Sequence, residues 1–198
     1  MNGSTMNPSK VNLYGKFGIL TPVVGFVVIL AAVLSAPWFN WWTNALSDLG
    51  VEGLSATIFN NGLKVTAFLM VIFSIGIKEI ADEDKIGLTG FVLLLLGSIS
   101  LLGIGVFPEG TELHYPFSVT FFVTMPLSIW VIGYFFIRGG LGNIGKISIV
   151  LGIAAAIIWI PKWDGVAIPE TISALAFAIW AQMVGSLMMK IPEEEQPQ

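Results

Sequence analysis

Long apolar stretches alternate with short polar ones along the chain. Six apolar runs cover residues 17–36, 56–77, 86–106, 115–137, 144–160 and 168–189. Each is close to the roughly 20 residues that cross a hydrocarbon core about 30 Å thick. The fifth is the shortest and spans only if it stands nearly untilted. No run alternates with a period of two, so helices are expected and a β-barrel is not. The first run is longer than the roughly 7–15 residues of a secretory h-region, so a retained span is expected. The pattern predicts an all-α, polytopic integral membrane protein. Six transmembrane helices form one bundle over 17–190, after a polar, loosely ordered or interfacial segment 1–16 and before an acidic tail 191–198.

Composition points the same way. Hydrophobic residues make up 55% of the chain and charged residues 11%, against about 25% charged in soluble domains. The absence of cysteine excludes disulfides, thiolate metal sites and Cys nucleophiles. The net charge of −4 excludes nucleic acid as a partner, and no basic cluster marks a surface for anionic lipid.

Lys and Arg divide unevenly between the loops. Lys10, Lys16, Lys78, Lys85, Arg138, Lys146 and Lys190 fall on one side, and Lys162 alone on the other, with Lys64 just inside the membrane. The bias places both termini in the cytoplasm, with the protein in the cell membrane. The outer loops are then 37–55, 107–114 and 161–167. Trp38, Trp41, Trp42, Trp159 and Trp163 collect at the outer interface, where amphipathic rings anchor.

The outer side also holds the candidate chemistry. Lys64 sits inside an apolar run, with Asn60 one turn above it and Thr57 further back on the same face. A buried lysine must snorkel or pair, and Asp48 and Glu109 are the candidate partners. Asp48 has a local alternative, in which Ser47 or Asp48 caps a short helix that ends at Gly50. His114, the one histidine, precedes the fourth run. With Asp48 and Glu109 it supplies the residue types of a mixed metal site, but without ligand spacing. No nucleophile elbow or phosphate loop occurs.

The segments Leu46-Ser47-Asp48-Leu49-Gly50, Phe59-Asn60-Asn61-Gly62-Leu63 and Phe107-Pro108-Glu109, followed by His114, carry a resemblance. From Phe17 to Ile137 the chain resembles the prokaryotic membrane family called domain of unknown function 998. The resemblance implies six spans and a shared outer-face polar cluster, and it implies no activity.

The expected site is an outward-opening polar pocket built from Ser47, Asp48, Asn60, Asn61, Lys64, Glu109 and His114. Three functions fit it. The first is binding or moving a small anionic or lipid-like ligand, with Lys64 taking the anionic group. The second is metal-assisted enzymatic action on lipid, and the third is a structural or partner-binding role. Membrane lipid is the expected partner, no cofactor is implied, and an oligomer is allowed.

Overall fold

The computed structural model describes residues 7–192. The first six residues and the acidic stretch 193–198 lie outside the described residues. The described residues are all-α, with six helices among them: α1 (Pro8–Leu34), α2 (Gly53–Ala81), α3 (Lys85–Val106), α4 (His114–Arg138), α5 (Gly142–Ile157) and α6 (Ala167–Met188). A short 3-10 helix, Leu46–Gly50, lies in the first loop. No strand occurs among the described residues. Four helices, α1, α3, α4 and α6, are long and apolar enough to cross a membrane, and α5 is a shorter apolar helix. These helices make the chain a multi-pass membrane protein.

Local chemistry sets the helix ends. Asn7 accepts the Lys10 N–H at 3.2 Å, and Pro8 opens α1 with a preset φ. Residues 8–16, expected as a loosely ordered or interfacial segment, belong to α1. Their polar side chains hide a helix that hydropathy alone does not mark. Asp84 caps α3 by accepting the N–H groups of Ile86 at 2.9 Å and Gly87 at 3.0 Å. The Gly87 N–H does most to hold its carboxyl below the usual range, helped by Ile86 and Arg138 and opposed by burial. Arg138 reaches Asp84 at 3.5 Å and ties the α2–α3 turn to the end of α4. The α4–α5 connection turns on Gly140 at φ 87°, a conformation glycine adopts at little cost.

Each helix packs on its neighbours in sequence, and α1 closes on α6, so the six form a ring. Small residues let the backbones meet. A Cβ on Gly15 of α1 would lie 2.7 Å from the Gly185 carbonyl oxygen of α6. A Cβ on Gly145 of α5 would overlap the Gly133 carbonyl oxygen of α4. The outer surface of the ring is apolar. Exposed residues recur at helical spacing as Leu20, Val23, Val27, Leu30 and Leu34 on α1 and Val92, Leu96, Ile99, Leu102 and Val106 on α3. Ile147, Val150, Ile153 and Ile157 make the same stripe on α5. A soluble helix would turn such a stripe inward.

The loops at the α3–α4 end are stitched together. Gly165 N–H donates to the Trp42 carbonyl at 2.8 Å, and Ala167 N–H donates to the Asn44 carbonyl at 2.9 Å. A side chain on Gly165 would strike the backbone of Thr43 and Asn44. The stretch 161–167 thus clamps the stretch 37–50 in place.

Candidate functional site

The clamp fixes the Leu46–Gly50 turn over the end of the bundle. Asp48 Oδ2 accepts the Ala45 N–H at 2.9 Å and the Asn44 side-chain N–H at 2.8 Å. This is the local role, closing its own turn. Ser47, 6% exposed, donates to Glu109 Oε2 at 3.2 Å. The same oxygen lies 2.8 Å from His114 Nε2. Ser118, one turn into α4, sits 3.1 Å from that nitrogen. Phe107 O meets His114 Nδ1 at 2.8 Å.

These contacts fix a proton. A carbonyl oxygen only accepts, so Nδ1 carries hydrogen. Nε2 and Glu109 Oε2 can bond at 2.8 Å only with a further proton between them. Whichever partner holds it, the pair is net neutral. The geometry is not that of a catalytic triad. There the carboxylate holds one ring nitrogen and the hydroxyl the other. Here Glu109 and Ser118 share Nε2, and a backbone carbonyl occupies Nδ1.

Glu170 completes the cluster. It lies in the first turn of α6, is 8% exposed, and accepts the Leu46 N–H on Oε2 at 2.6 Å. The helix dipole favours an acid there. Glu170 and Ser118 were not among the residues expected at the site. The signal for Glu170 was available: an acid inside the sixth apolar run, directly after Pro169, in a position where a charge is costly. Ser118 carried no signal, because a serine in a membrane helix commonly bonds its own backbone.

Lys64 and the two asparagines stand elsewhere. Asn60 donates to the Gly50 carbonyl at 2.8 Å and pins the loop to α2, with its own Oδ1 buried and unpartnered. Asn61 is exposed and bonds back to the Thr57 carbonyl at 2.9 Å. Lys64 packs beside Gly105 of α3, whose added Cβ would lie 3.1 Å from Lys64 Cγ. It forms no ion pair with Asp48 or Glu109; the two ion pairs among the described residues are His114–Glu109 and Arg138–Asp84. Helical spacing sets Asn60 and Lys64 one turn apart on α2, but it could not say which neighbour each side chain meets. Among the described residues no group of three His, Asp or Glu side chains is placed to hold a metal ion.

Two cavities meet at the cluster. An inner one of about 130 Å³ lies on the ring axis among Phe59, Leu63, Met70, Phe121, Phe177 and Trp180. It has room for a few waters but not for a lipid. The second is a groove of about 640 Å³, within the range of small-molecule sites. Its head is Ser47, Asp48, Glu109, His114, Ser118 and Glu170. Its floor is one face of α4, stepping through Val119, Phe122, Val123, Pro126, Leu127 and Trp130. Trp159, in the turn after α5, walls the groove and is held by its indole N–H on Ser173 Oγ at 3.0 Å and by its ring against Phe122. From Tyr115 to Trp130 the groove follows about 22 Å of helix at roughly 1.5 Å per residue. That exceeds the depth of one leaflet, about 15 Å. No Lys or Arg lines either cavity.

Residues 19–187 match the model of the family described as Protein of unknown function (DUF998). The match covers most of the chain, and the chain belongs to that family. No curated protein and no solved structure matches it.

Proposed function

We propose that this member of the DUF998 family, whose description assigns no activity, binds a lipid-like amphiphile in the groove along α4. All six helices span the membrane, both termini face the cytoplasm, and the Leu46–Gly50 turn lies on the outer side. The observation that carries the reading is the groove itself: a polar head under a clamped loop, and an apolar floor deeper than one leaflet. Val119 and Val123 on that floor are 42% and 52% exposed, so a chain can enter sideways from the bilayer. The Lys and Arg distribution supports the orientation. The apolar outward stripe on α5 supports a fifth span despite its length.

The orientation has a direct test. The chain has no cysteine, so single cysteines report cleanly. Lys162→Cys is expected to react with a membrane-impermeant maleimide on intact cells. Glu83→Cys and Asn143→Cys are expected to react only after lysis. The reverse pattern refutes the orientation.

Lipid retention tests the groove. Native mass spectrometry of the purified protein is expected to show a retained lipid or lipid-sized species. The double substitution Val119→Trp/Val123→Trp fills the floor and is expected to abolish retention. Leu96→Trp, on the outward stripe of α3, is expected to leave it unchanged. Retention that survives the filled groove, or that Leu96→Trp removes equally, defeats the reading.

A further inference from the structure

The charge at the groove head defines what can sit there. Glu109 and His114 neutralise each other through their shared proton. Asp48 and Glu170 have no such partner, since no Lys or Arg lines the groove and neither acid forms an ion pair among the described residues. Their hydrogen bonds also fall on one oxygen each: Asp48 Oδ2 takes Ala45 and Asn44, and Glu170 Oε2 takes Leu46. The second oxygen of each is left for a donor. Glu170 is 8% exposed and lines both cavities. A carboxylate so placed, at the edge of a membrane and without a counter-charge, is costly until a cation or proton arrives.

An anionic head has nothing to hold it here. The expectation of an anionic ligand rested on Lys64, which is absent from the groove wall. A primary ammonium fits the vacant acceptors, because it offers three N–H donors and no acceptor. Resting on the amphiphile reading above, we infer that the ligand's head is a protonated primary amine, received by Glu170 and Asp48, with its apolar chain laid along α4 toward Trp130.

The test uses the full chain in phosphatidylcholine nanodiscs, with three probes of one chain length: dodecylamine, dodecanol and dodecanoic acid. Binding is measured at pH 7, where an alkylamine is protonated, and corrected for uptake by empty nanodiscs. Dodecylamine is expected to bind at least tenfold more tightly than either of the others. Glu170→Gln keeps an oxygen for the Leu46 N–H, and Asp48→Asn keeps one for Ala45. Each is expected to reduce the amine preference about tenfold and leave dodecanol binding unchanged. Equal binding of the three probes, preference for the acid, or an amine preference that both variants retain overturns the inference and leaves the groove reading standing. No binding of any probe overturns both.

Discussion

His114→Ala is expected to destabilise the protein by about 3 kcal/mol. The side chain is 6% exposed and holds three groups at once: the Phe107 carbonyl, Glu109 and Ser118. Breaking a buried charged pair costs about 3–5 kcal/mol, mostly through the partner left behind. Glu109 has a side chain 42% exposed and regains some water, which places the loss at the low end. Thermal unfolding in micelles measures it. Glu109→Gln is expected to cost less, and the double variant less than the sum of the two by at least about 1 kcal/mol, because both remove one interaction. Additive losses mean that the pair is not coupled.

Gly145→Ala is expected to cost about 2 kcal/mol, whereas Gly142→Ala, one turn earlier, is expected to be neutral or slightly stabilising. A Cβ on Gly145 runs into the Gly133 carbonyl oxygen and lies 3.0 Å from the Ile137 nitrogen. Those are backbone atoms, so α4 and α5 must part, and overpacking of this kind costs about 3 kcal/mol at its upper end. Replacing glycine within a helix returns about 1 kcal/mol. A Cβ on Gly142 meets nothing within 4 Å. The paired melting curves decide: equal shifts for the two substitutions would mean that the close approach carries no energy.

The class of fold was legible because a membrane demands it. A chain with 11% charge cannot cover a water-facing surface, and its apolar runs have the length of a bilayer. Helix ends were less legible. Ser9, Lys10 and Asn12 interrupt hydropathy without interrupting α1, and Lys78 and Glu79 do the same near the end of α2. Spacing cannot distinguish a helix from a span.

At the site, the residues that meet across loops are Ser47, Glu109 and His114, with Asp48 beside them. Their common feature was a polar side chain at the mouth of the bundle. Lys64 is the oddest residue in its helix, yet oddness gives depth and not direction. Its neighbour is decided by Gly105, whose missing side chain makes room on α3. Glu170 stood too far along the chain to be linked with Leu46. That bond joins residues 124 positions apart, and no local pattern encodes such a pairing.

The ring of neighbours has a consequence for how the molecule comes into being. Each helix from α2 to α5 lands on the one made just before it, so most of the bundle assembles from local contacts, the fast kind. Only α6 must find α1, across nearly the whole chain. The same late segment brings Gly165 and Ala167 to the first loop and Glu170 to Leu46. The groove therefore lacks Glu170 at its head and the anchor of its roof until α6 has been synthesised and docked. A chain cut short before α6 is a partial ring with no site.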